Sequence, residues 1–200
     1  MKLYYSPGAC SLCPHIVLRE AGYTFDLERV DLMKKKTQTG ADYLAINPNG
    51  YVPALVLDDG EVMTEASVIV QYLADGKPDA HLAPRNGTIE RYRLMEWLNF
   101  VATEVHKQFS PLFAPTTPDE TKKAQRDRLA NRFAFLEKRL AANPFLTGQS
   151  FTVADAYLFT VLRWTTFLKV DLEPFPAVRA FVERVGSRPK VKEAIEAEGR

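Results

Sequence analysis

Two cysteines, Cys10 and Cys13, stand three residues apart in the stretch Tyr5-Ser6-Pro7-Gly8-Ala9-Cys10-Ser11-Leu12-Cys13-Pro14-His15. A C-x-x-C at the start of a helix is a spacing on which thiol–disulfide chemistry is built. Pro14 lacks an amide proton and fits only the first turn of a helix, so the regular helix is expected to begin near it, with Cys10 in the turn before or in the first turn. Unpaired amides and the positive end of the helix dipole favour a thiolate there. Lowering a thiol pKa from about 8.5 to about 6.5 requires roughly 2.7 kcal/mol of preference for the anion. A helix end supplies about 0.3–1 kcal/mol, or about 2 when partly buried, so a second group must contribute. The plain alternative is two small core residues. A zinc site built on Cys10, Cys13 and His15 lacks a second pair of ligands, and no metal is expected.

Other polar residues at suggestive spacing lie further along. Asn99, Thr103 and His106 fall on one face of an expected helix, with Glu104 and Lys107 beside them, a surface suited to a small polar ligand or simply to water. One cation of Lys34-Lys35-Lys36 could pair with a ligand carboxylate. Glu65 opens a helix and could cap it or accept from an ammonium group, while the Ala66 amide beside it could bind a carboxylate.

The elements that position these residues follow from periodicity and punctuation. Lys2-Leu3-Tyr4-Tyr5 reads as a strand, residues 16–21 as helix ended by Gly22, and 25–32 as a half-buried strand joined to the first through a parallel crossover. A short helical piece lies near Ala41–Leu44. Residues 52–57 and 61–64 form strands joined by a hairpin at Asp59-Gly60, and a helix runs from Thr64 through Leu73. The linker is expected at 79–86, after a first domain of 1–78, and residues 87–200 read as all-helical. In that half one helix passes through Ile89, Tyr92, Leu98, Val101 and Val105 and is ended by Ser110-Pro111 and Pro115. A second starts at Thr117-Pro118-Asp119-Glu120 and reaches about Ala142. Thr152 and Asp155 form a structural cap for a helix from Ala156 to about Leu168, and a final helix spans about 176–187.

The chain has 200 residues, 46% of them hydrophobic, with 26 basic against 25 acidic side chains. That balance gives no support to a nucleic-acid or anionic-membrane partner. No apolar signal core or membrane-length segment occurs, and two close cysteines suit a reducing, cytoplasmic setting.

The chain resembles bacterial beta-class glutathione S-transferases across essentially its full length. The resemblance is carried by Met1–Tyr5, Pro7–Leu12, Ala45-Ile46-Asn47-Pro48 with Val52-Pro53, Thr64-Glu65, Glu96–Asn99, Glu104–Lys107, Ser110–Phe113 and Phe151–Tyr157. It implies a thioredoxin-like α/β domain followed by an all-helical domain, a homodimer, and conjugation of glutathione to small electrophiles in detoxification. It also implies that glutathione is held by Cys10, Lys35, the Val52 backbone, Glu65 and Ala66. Asn99 and Thr103, Glu104, Val105 and His106 complete the site, partly from the neighbouring subunit, and Pro53 is a structural cis proline. Two positions depart from the family pattern: Cys13, where Ser or Ala is more common, and Ala66, where Gly or Ser is. Cys13 could resolve a mixed disulfide at Cys10.

On this reading His106, near its ordinary pKa, helps hold the glutathione thiolate beside Cys10, and Tyr5, Phe109, Phe113 and Trp164 wall the second-substrate pocket. Two rival readings stand beside it: a thiol–disulfide oxidoreductase using Cys10 and Cys13, and a non-catalytic ligand-binding protein on the same fold.

Overall fold

The computed structural model describes residues 1–199. It divides into two compact units, one of residues 1–83 together with the segment from Arg188 onward, the other Pro84–Ser187.

The first unit is a five-stranded sheet with helices packed on it. Its elements are β1 (Lys2–Tyr5), α1 (Leu12–Glu20), β2 (Asp26–Asp31), β3 (Lys36–Thr37), α2 (Tyr43–Ile46), β4 (Ala54–Val56), β5 (Val62–Thr64), α3 (Ala66–Gly76) and, far along the chain, α10 (Pro189–Ala197). The strand order is β3-β2-β1-β4-β5. Only β1 and β2 run parallel, as the helical crossover between them requires; β4 and β5 are an antiparallel hairpin on the other side of β1. The central strand buries Leu3, Tyr4 and Tyr5 together. Helix α1 ends in a Schellman pattern: the Gly22 and Tyr23 amides donate to the carbonyls of Arg19 and Leu18, and Gly22 takes a positive φ of 70°.

The second unit is helical. It contains α4 (Ile89–Phe100), a π-helical turn (Val101–His106), α5 (Lys107–Phe113), α6 (Asp119–Ala142), α7 (Val153–Leu162), α8 (Trp164–Leu168) and α9 (Pro176–Gly186). Every residue of α7 is buried, which makes it the central helix of this unit. Its first turn is fixed by Asp155, whose Oδ2 accepts from the Thr152 amide and hydroxyl at 2.8 and 2.9 Å, and whose Oδ1 accepts from the Leu146 amide at 2.8 Å.

Several boundaries differ from the sequence expectation. The helical unit stops at Ser187 instead of running to the end, because α10 packs against α1 in the first unit. Pro111 does not end its helix; α5 continues to Phe113, since a proline removes one hydrogen bond without forcing the chain out of helical dihedrals. Helix α6 begins at Asp119 with Pro118 at its cap and no side-chain cap from Thr117. The helix expected to reach Leu168 breaks at Arg163 into α7 and α8.

Candidate functional site

In the first unit the candidate residues converge on the turn between β1 and α1. Cys10 is the last residue before the cap Ser11, partly exposed, and its Sγ donates to the Val52 carbonyl at 3.1 Å. This hydrogen bond is one the thiol makes and the thiolate cannot. The Val52–Pro53 peptide bond is cis.

The Val52 segment is held from three sides. Lys35 takes a positive φ of 53°, and its Nζ donates to the Gly50 carbonyl at 2.8 Å. The Tyr51 carbonyl accepts from the Tyr43 hydroxyl at 2.6 Å and from Asn47 Nδ2 at 2.8 Å. Burial pushes the Tyr43 phenol up to about 12, so it remains a hydrogen-bond donor throughout the working range of the protein. Gly50 has no substitute here: its φ is 65°, and a Cβ would sit 3.1 Å from Leu44 Cδ2 and 3.2 Å from Lys35 Nζ.

Glu65 caps α3 with φ 67° and ψ 112°, a conformation costly for a residue bearing a Cβ. Its carbonyl accepts from the Val68 and Ile69 amides, its side chain is exposed, and it makes no cap hydrogen bond to its own helix. The Ala66 amide therefore heads a helix whose acidic residue turns to solvent, a place for a ligand bearing both an ammonium and a carboxylate.

Cys13 lies three residues beyond Cys10, fully buried at the start of α1, and neither cysteine is in a disulfide. Burial, followed by the neighbouring Cys10, pushes the Cys13 thiol well above its ordinary value, so it is held protonated.

The turn bearing Cys10 has a further anchor that the sequence did not reveal. His15, fully buried, accepts from Arg19 Nε at its Nε2 (2.9 Å) and lies 2.9 Å from Glu198 Oε1 at its Nδ1. A guanidinium can only donate, so Nε2 presents its lone pair and Nδ1 carries the proton that Glu198 receives. The other carboxylate oxygen, Oε2, accepts the Gly8 amide at 2.9 Å. His15 is thereby committed to the fold, which removes it from the zinc alternative.

In the helical unit, Asn99 and Thr103 are exposed, and the Thr103 hydroxyl donates to the Asn99 carbonyl at 3.0 Å. Glu104 pairs with Arg132 of α6 at 2.6 Å. The Val105 side chain is fully buried and serves packing, so only its backbone remains from that part of the expected set. The common face proposed for Asn99, Thr103 and His106 assumes a continuous α-helix. The π turn at 101–106 adds a residue per turn, so seven residues fall short of two turns and His106 swings inward.

His106 Nδ1 lies 2.7 Å from the Tyr157 hydroxyl, and its ring packs edge-on against Trp164 at 4.9 Å. Burial, aided by Lys107, lowers its pKa to about 4. The imidazole is neutral near pH 7, not poised at its ordinary pKa as the sequence suggested. It can still donate or accept one hydrogen bond. Tyr157 sits inside the apolar α7, where no sequence pattern marks it as a partner. Phe109 and Trp164 are interior residues rather than pocket walls; Phe113, which packs on Trp164 at 5.2 Å, is the exposed member of that cluster.

Among the described residues no group of three His, Cys, Asp or Glu side chains gathers as a metal site would, and no helix is long and apolar enough to cross a membrane.

Residues 8–75 match the family model of the glutathione S-transferase N-terminal domain, and residues 100–189 that of the C-terminal domain. The chain is 51% identical to the glutathione S-transferase GstA of Escherichia coli O157:H7, covering 100% of this chain and 99% of that protein. It is 36% identical to glutathione S-transferase GST-4.5 of Xanthomonas campestris pv. campestris, with the same coverage of each. Among solved structures, a ternary complex of BphK, a bacterial glutathione S-transferase, superposes with a TM-score of 0.99 at 55% identity over the whole of both chains. A sphingomonad glutathione S-transferase complexed with glutathione gives 0.97 at 47% identity, over 100% of this chain and 99% of that one. With both domain models matched in order and full-length likeness at this level, the chain belongs to the glutathione S-transferase family.

Proposed function

We propose that the protein binds glutathione along the first unit and directs its thiol at small, activated electrophiles. The observation that carries this reading is the contact of Cys10 Sγ with the Val52 carbonyl, at a segment that Lys35, Tyr43 and Asn47 hold in place. A ligand thiol beside Cys10 would leave its peptide backbone facing Val52. Lys35 offers a cation to one carboxylate, and the Ala66 amide and Glu65 carboxylate suit the amino-acid end of the tripeptide. The family resemblance adds His106, Asn99, Thr103, Glu104 and the Val105 backbone to the glutathione contacts, partly from a neighbouring subunit. Exposed Ile89, Tyr92 and Met95 on α4, and Val68 and Tyr72 on α3, support a homodimer. Two cysteines outside any disulfide support a reducing compartment, the cytoplasm. The electrophile's class, halogenated or otherwise activated, rests on family membership.

The test is calorimetry of the reduced protein with glutathione, paired with conjugation of a chlorinated dinitrobenzene by wild type, Cys10→Ala and His106→Ala. Saturable binding with conjugation weakened about tenfold or more in at least one variant supports the reading. Absence of binding by the reduced wild-type protein would return the carrier alternative to the front.

A further inference from the structure

We propose that Cys10 and Cys13 act together as a dithiol that reduces small disulfides, with Cys13 resolving the mixed disulfide formed on Cys10. The backbone brings the two within reach. The Cys13 amide donates to the Cys10 carbonyl at 3.1 Å, closing a turn across these two residues. Such a turn keeps the terminal Cα atoms within about 7 Å, and a disulfide needs about 4.4–6.8 Å.

The two thiols are also unequal in the way the chemistry requires. Cys10 is partly exposed at the mouth of α1, open to an incoming disulfide, whereas Cys13 is fully buried and closed to one. Only Cys10 can make the first attack. Cys13 is held as a thiol by burial and then by its neighbour Cys10. Once Cys10 is capped it carries no charge, and the second of those restraints is gone.

The steps balance as follows. The Cys10 thiolate attacks a disulfide RS–SR, forming Cys10–S–SR and releasing one RS⁻. That thiolate takes the Cys13 proton, the Cys13 thiolate attacks Cys10 Sγ, and the bond to the bound RS breaks, releasing it as a second RS⁻ that takes its proton from water. The substrate gains two electrons and the protein keeps a Cys10–Cys13 disulfide. Two molecules of glutathione restore the dithiol and leave as glutathione disulfide. The last step alone rests on the glutathione-binding reading.

The test uses 5,5′-dithiobis(2-nitrobenzoate) on the native, reduced protein, so that it needs no glutathione. Wild type is expected to release about two thionitrobenzoate ions per chain and to end without an adduct, its mass lower by a pair of hydrogens and its peptides linked Cys10 to Cys13. Cys13→Ala is expected to release about one and to retain the adduct on Cys10. A wild-type protein that keeps a stable adduct on Cys10 with Cys13 still a free thiol, or that carries adducts on both residues, overturns the proposal. The wild-type mass alone decides if Cys13→Ala does not fold. Failure of the wild type to bind glutathione would undo the reading of the previous section and leave this measurement standing.

Discussion

Glu198 accepts the amide of Gly8 across 190 residues of sequence, at 2.9 Å, and so ties α10 to the turn that carries Cys10. Its other oxygen receives the proton of His15. Both oxygens of this buried side chain are met by donors, which offsets the cost of burying it.

Glu198→Ala is therefore expected to lower the unfolding free energy by about 2–4 kcal/mol, because it removes the acceptor of the buried His15 Nδ1 and one acceptor of the part-buried Gly8 amide. Glu193→Ala removes an exposed carboxylate of the same helix, which pairs with Arg19 and Lys190, and is expected to leave the midpoint unchanged. Denaturant melts of the two variants beside wild type make the comparison. Equal midpoints in both would show that the buried carboxylate does no more than the surface one.

His106 and Asp155 give the acid range opposite slopes. The folded pKa of His106, about 4, lies below its unfolded value of 6.5, so its contribution to stability is complete above pH 6.5 and is lost as pH falls toward 4. Asp155 is raised by burial from 3.8 to about 6, against the pull of its three donors, so its contribution is largest at low pH and is lost as pH rises from 3.8 to 6. Each amounts to roughly 3 kcal/mol at the extremes, and the two offset one another between pH 4 and 6. Stability in Asp155→Asn should consequently fall more steeply on acidification than in wild type, and in His106→Asn it should fall less. Unfolding free energies at half-unit pH steps, with an NMR titration of the His106 ring, measure both. A His106 midpoint near 6.5 would contradict the first half of this prediction.

Gly50→Ala places a methyl group against Lys35 Nζ and Leu44 at a backbone φ that disfavours any side chain. A stability loss of about 1–2 kcal/mol is expected, together with weaker glutathione binding, since the added methyl group displaces the Lys35 ammonium from its present position. Lys35→Met should weaken binding by a similar factor with less effect on stability. Isothermal titration of both variants separates the backbone cost from the loss of charge.

Tyr157→Phe removes the hydroxyl at His106 Nδ1 while keeping the ring that packs beside it. The expected loss of stability is about 1 kcal/mol, with kcat reduced more than KM changes, because the imidazole is no longer oriented. A change confined to KM would argue that His106 holds substrate without needing a set orientation.

What the sequence made legible was local. Pro14 and Gly22 bracket α1 because one lacks an amide and the other takes a positive φ, and the alternation in β2 shows which side meets the core. β3 went unseen because its two residues, Lys36 and Thr37, stand at the end of a lysine run that carries no period. The π turn was invisible for a different reason: inserting one residue into a helix changes no composition, yet it rotates His106 away from Asn99 and Thr103. Pro189 opens α10 at its first position, and Val191 and Ala194 mark its buried face, a start pattern that was legible but was not followed past Ser187. Within the site, Cys10, Lys35 and Glu65 were found through motif and resemblance. The partnership of His15 with Glu198 spans 183 residues, and nothing in either segment alone foretells it.

The assignment of α10 to the first unit has a consequence for the order of events during synthesis. Residues 188–199 leave the ribosome only after every helix of the second unit has emerged, so the nascent thioredoxin-like layer waits until then with one face of α1 bare. An amino-terminal fragment ending near residue 83 would be born without the helix that covers α1.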